Sequence, residues 1–109
     1  MLFVTHASYS ASAIKGFVDK PEDRAAVIEK MVEAAGGKVI SLYMTSGEHD
    51  ILLVTEFDEG ESAIALGMVA GATGAVQDLK TVRAWTTAEF KGVAERAASL
   101  ASNYTPPGG

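Results

Sequence analysis

Two neighbouring segments, Lys38–Thr45 and Ile51–Phe57, carry apolar side chains on both alternations, and this constrains the fold more than any other feature of the chain. In the first, Val39 and Tyr43 stand against Ile40, Leu42 and Met44; in the second, Ile51 and Leu53 stand against Leu52 and Val54. Successive side chains of a strand point to opposite faces, so a sheet built from such strands is covered on both sides. The linker between them, Ser46-Gly47-Glu48-His49-Asp50, is short and contains a glycine, as a hairpin needs.

The flanking segments supply the rest of a small α+β domain. Leu2–Tyr9 is rich in β-branched and aromatic residues and reads as a strand. Ser10 offers a side-chain oxygen to cap a helix over Ala11–Val18. Lys20 precedes Pro21 and is pushed out of helical space, so a second helix is expected to begin at Pro21 with Glu22 and Asp23 in its first turn. Val27, Ile28, Met31, Val32 and Ala35 give that helix an apolar stripe, and Gly36-Gly37 ends it. Asp58 with Glu61 predicts a capping box for a helix over roughly 59–73. Gly67 and Gly71 inside it each cost about 1 kcal/mol relative to alanine, which points to close backbone approach. Gly71-Ala72-Thr73-Gly74 follows a helix and lacks the lysine of a phosphate loop, so it reads as a helix stop. Ala75–Thr86 is the fourth strand. Thr86 with Glu89 predicts a capping box for a last helix bearing Phe90, Val93, Ala97 and Leu100 on one side.

The order is β-α-β-β-α-β plus a C-terminal helix. This is the ferredoxin-like arrangement, a four-stranded antiparallel sheet with helices on one face. Helices on one face leave the other bare while the strands are apolar on both. A second subunit is therefore expected to close the bare face, giving a dimeric α+β barrel, as a homodimer or a higher even oligomer. Residues 1–101 form the single domain, and 102–109, which include Pro106-Pro107-Gly108-Gly109, form a flexible tail.

Composition excludes more than it assigns. A hydrophobic fraction of 48% and a charged fraction of 21% over 109 residues describe one folded domain. The net charge of -5 is spread along the chain, so neither nucleic acid nor a membrane surface is an expected partner. No cysteine is present, which removes disulfides, thiolate metal sites and cysteine nucleophiles. The start Met1-Leu2-Phe3-Val4-Thr5 has no basic segment leading into an apolar run, and no window approaches a membrane span. The cytoplasm is the expected location.

Several stretches together resemble the bacterial GYD-domain family. They are Asp19-Lys20-Pro21-Glu22-Asp23-Arg24, the Gly36-Gly37-Lys38 break, the Gly47-Glu48-His49-Asp50 turn, and Gly71-Ala72-Thr73-Gly74-Ala75-Val76 leading to Leu79-Lys80-Thr81. The resemblance covers about residues 2–96. The glycine and aspartate of the family name correspond to Gly47 and Asp50, while the tyrosine position holds His49. The resemblance implies a ferredoxin-like, dimeric α+β-barrel domain and carries over no catalytic residues.

Candidate chemistry is sparse. His49, beside Asp50 and Glu48, is a candidate acid or base near neutral pH, with the bland alternative that Gly47 makes the turn and Asp50 bonds its backbone. His6, in mid-strand, is the second candidate, or else a satisfied core or interface histidine. Arg83 and Trp85 share one strand face and, with Tyr43, are the candidate ligand-binding residues; Arg83 and Trp85 would equally anchor an interface. No closely spaced metal-ligand motif is present, so no metal and no cofactor are expected. The first expectation is a small oligomeric binding or structural module. The alternatives are a cofactor-free dimeric-barrel enzyme acting on a small apolar or aromatic molecule, with Arg83 orienting a carboxylate, or a small-ligand regulatory sensor whose hairpin moves.

Overall fold

The computed structural model describes residues 1–109. Its elements run β1 (Leu2–Tyr9), α1 (Ala11–Asp19), α2 (Ala25–Ala34), β2 (Lys38–Met44), β3 (Ile51–Glu56), α3 (Gly60–Ala72), β4 (Val76–Ala84) and α4 (Thr87–Leu100), followed by a single 3-10 turn (Ala101–Asn103). The sheet order is β2-β3-β1-β4 and every pairing is antiparallel. The fold is α+β and ferredoxin-like, with β1 and β3 at the centre.

Two local signals form as the residues dictate. The Ser10 hydroxyl accepts from the Ala13 amide at 3.2 Å and opens α1. Thr86 and Glu89 make the reciprocal capping box at the start of α4. Two others do not. Helix α2 starts at Ala25, four residues after Pro21, because its acidic neighbours are used in the loop: the Asp23 carboxylate accepts from the Ala25 amide at 2.9 Å, and Glu22 pairs with Arg24 at 2.8 Å. No capping box forms at Asp58 either. The extended residue before α3 is Glu59, so Asp58 lies one position too far out to reach the first helical amides.

The core lies between the sheet and α2 and α3. Phe3, Val32, Phe57 and Ala63 form one buried cluster, and Ala7, Ile51 and Leu53 another. Phe57 is 2% exposed and meets Phe3 edge to face at 6.2 Å. Its backbone closes the end of the β1–β3 ladder, donating to Met1 O at 2.9 Å and accepting from the Met1 amine at 2.8 Å. Gly37 gives way to this ring, since a Cβ there would stand 2.4 Å from Phe57 Cε1.

Two bulges change the reading of the strands. Val39 pairs with Thr55 and Ser41 with Val54, so Ile40 is an extra residue in β2. The alternation reverses across it, and Val39 and Leu42, of opposite parity, both pack toward the core. In β4, His6 pairs with Lys80 but Ser8 with Gln77, leaving Asp78 and Leu79 opposite Ala7. Asp78 takes the left-handed conformation (φ 50°), which an aspartate tolerates better than most side chains. The two-sided apolar pattern of β2 thus comes partly from a reversal of faces. In β3 the pattern is real: Ile51 and Leu53 are buried toward the helices, and Leu52 and Val54 sit on the outer face.

That outer face carries Leu2, Val4, Leu52, Val54 and Val82, with no element of the chain packed over it. Helix α4 also stands apart, with every residue exposed and its only sustained packing against the 3-10 turn that follows. Of the two glycines in the interior of α3, Gly67 is a close approach, its missing Cβ only 3.0 Å from Leu79 Cδ2, whereas Gly71 faces open space.

Candidate functional site

A cavity of about 180 Å³ lies between the sheet and the helices. Thr5, Ala7, Leu53 and Leu79 help form its floor, and Ile28 and Met31 from α2 and Leu66, Gly67 and Ala70 from α3 form its walls. Helix α3 presents small residues here, Ala63, Gly67 and Ala70, and Gly67 lets the helix sit close over Leu79 of β4. Fifteen of the 21 lining residues are hydrophobic.

The polar groups inside are few and placed. Thr5 and Thr81, paired across β1 and β4, share a hydrogen bond between their hydroxyls at 2.9 Å. Thr55 is 2% exposed on the same floor. At the mouth stand Tyr9 and Arg24, which also border an adjoining depression lined by Phe17, Lys20 and Glu22. Burial raises the Tyr9 phenol above its ordinary value; the Arg24 charge opposes the shift, and Asp50 and Glu22 add to it. The phenol is therefore a neutral donor through the physiological range.

The hairpin is organised by Asp50. Its amide donates to Ala7 O at 2.9 Å, its carbonyl accepts from the Thr45 amide at 2.8 Å, and its carboxylate accepts from the Tyr9 amide at 2.9 Å. One residue thus ties β1, β2 and β3 together beside the β4 bulge. Gly47 supplies the positive φ (106°) that the turn needs. Thr45 Oγ1 donates to His49 O at 2.7 Å and Ser8 Oγ to Glu48 O at 3.3 Å, so the loop lies over the end of β1.

This brings His49 to His6, with ring centroids 5.3 Å apart. The two histidines meet on the outer side of the sheet, and neither lines the cavity. Asp50 directs its carboxylate to backbone, not to either imidazole. No group of three or more His, Asp or Glu side chains converges as a metal site. Arg83 stacks its guanidinium over Trp85 at 4.5 Å and reaches the Phe3 ring at 6.0 Å; it too lies outside the cavity lining. Tyr43 is 63% exposed on the outer face opposite Leu52. The candidates named from the sequence thus fall into a histidine pair at the hairpin and a cation–π group at the root of α4, with Tyr43 in neither.

Tyr9 and Arg24, the polar residues at the cavity mouth, are not among the candidates, although Arg24 ends the Asp19–Arg24 stretch that carries the family resemblance. Both flank segment boundaries, the end of β1 and the start of α2, where side chains from two layers meet.

No helix is long and apolar enough to cross a membrane. No curated protein matches the sequence. The family model described as GYD domain matches residues 3–94, spanning every strand and the first three helices, and the chain belongs to the GYD domain family.

Proposed function

We propose that this protein is a self-associating module that binds a small, largely apolar molecule in the cavity between its sheet and helices. The cavity carries the reading. Its volume of about 180 Å³ somewhat exceeds that of apolar protein cavities of roughly 150 Å³ that accept benzene, so a single substituted ring or a short branched chain fits. Arg24 at the mouth, with Tyr9 as a neutral donor beside it, suits a ligand bearing one carboxylate at its outer end. Binding is favoured over turnover because the imidazoles of His6 and His49 lie across the sheet from this space. Self-association is supported by the uncovered apolar outer face, where Val82 is 57% exposed.

Benzoate and toluene serve as probes in amide-detected NMR titrations. Benzoate is expected to shift the amides of Ala7, Leu53 and Gly67. Filling the cavity with Ala70→Phe is expected to abolish the shifts, and Arg24→Ala is expected to weaken benzoate while leaving toluene unchanged. Absence of saturable shifts with either probe at millimolar concentration overturns the reading.

A further inference from the structure

We infer that α4 is an exchanged arm, which buries its apolar stripe on a second copy of this chain. The inference deepens the self-association reading above and does not depend on the cavity.

The helix is amphipathic, but only one of its faces is satisfied. Lys91 and Glu95 pair one turn apart at 3.9 Å on the polar side. Phe90, Val93, Ala97 and Leu100 recur at helical spacing on the other side, and Phe90 and Leu100 are each more than half exposed. The root of the arm is an aromatic and cationic cluster. Trp85 meets Phe90 edge to face at 6.1 Å, and Arg83 lies over Trp85. Tryptophan and arginine are the residue types most enriched at binding hot spots.

Global dimensions point the same way. Its radius of gyration is 17.9 Å, whereas a compact chain of this length has one of about 13 Å. Its accessible surface is 7639 Å², against roughly 5,800 Å² expected for a monomer of this mass. The excess, about 1,900 Å² per copy, is in the range that obligate homodimers bury. The outer sheet face cannot supply it alone. Four strands of this length present a face of only about 19 by 24 Å, on the order of 450 Å². Helix α4, about 21 Å long, is also left bare, as are residues 101–109 after it. A two-fold dimer uses the same patch of each copy twice, so one kind of partner serves the sheet face and the arm together.

The test combines light scattering with isotope-filtered NMR on the full chain. Wild-type protein is expected to be dimeric, and Phe90→Ser with Leu100→Ser is expected to raise the dimer dissociation constant by about 100-fold. Both side chains are exposed in the protomer, so circular dichroism should show an unchanged sheet. Lys91→Ser, on the polar face, should leave the constant unchanged. In mixed labelled and unlabelled dimers, the Val93 and Leu100 methyls should show cross-peaks to the other copy. A dimer with only intrachain α4 cross-peaks, or one insensitive to the double substitution, overturns the arm and leaves self-association standing. A monomer overturns both.

Discussion

The two faces of the sheet are built from the same kinds of residue and have different fates. Toward the helices, Phe3, Ala7, Ile51, Leu53 and Thr55 are buried. On the outer side, Leu2, Val4, Leu52 and Val54 are half-buried and Val82 is mostly exposed. Side-chain type does not separate the faces; what the chain can lay over each of them does. Two helices reach one face, and no element of the chain packs over the other. Hydrophobic pattern alone therefore does not tell which face the chain itself packs against.

The sharpest way to break this comparison is to truncate one residue on each face. Phe57→Ala is expected to destabilise the fold by about 3–5 kcal/mol in urea titration, since it opens a void among Phe3, Val32 and Ala63. Val82→Ala, measured at protein concentrations low enough to populate monomer, is expected to cost less than about 1 kcal/mol. Equal losses would show that the outer face is packed within a single chain.

A smaller contrast lies between two glycines. Gly37→Ala drives a methyl into the Phe57 ring and is expected to cost about 1–3 kcal/mol. Gly71→Ala meets nothing within 4 Å and should stabilise α3 by up to about 1 kcal/mol. Thermal denaturation of both variants checks the opposite signs.

The third test concerns the detached helix. Thr86→Ala removes a capping hydroxyl, worth about 1 kcal/mol to α4. Hydrogen exchange should show lost protection in α4 with none lost in the sheet; loss in both would mean that α4 is packed on its own domain.

The smallest effect is a pH dependence of the same cap. The hydrogen bond from the Thr86 backbone, with help from its side chain, lowers the Glu89 carboxyl below its ordinary 4.5. A depressed acid contributes stability above its unfolded pKa and loses it as pH falls through the folded value. The helicity of α4 should therefore fall below about pH 4.5, and Glu89→Gln should flatten that part of the profile.

Local chemistry made part of this molecule legible in advance. Ser10, Thr86 with Glu89, and the Gly47 turn act within three or four residues, and each does what its residue type requires. The capping acids near Pro21 and Asp58 misled because side chains with several possible partners chose the loop, or sat one position out of reach. Bulges at Ile40 and Asp78 reversed the strand faces without any residue that forces a bulge. The cavity was not legible at all. Its lining comes from five elements and their junctions, and its volume is what packing left unfilled between the sheet, α2 and α3. The meeting of His6 and His49 was equally hidden, because it depends on the hairpin folding back onto β1.

The central place of β1 has a consequence for how the protein is made. Its partners are residues 51–56 and 76–84, so this strand is synthesised before both of them and is among the last of the sheet to be fully paired. Until β4 emerges, Leu2-Phe3-Val4-Thr5 is an uncharged, β-prone segment with at least one free edge. The order of synthesis runs against the order of assembly. Folding should be slow for so small a domain, and nascent chains should depend on chaperones more than the finished protein does.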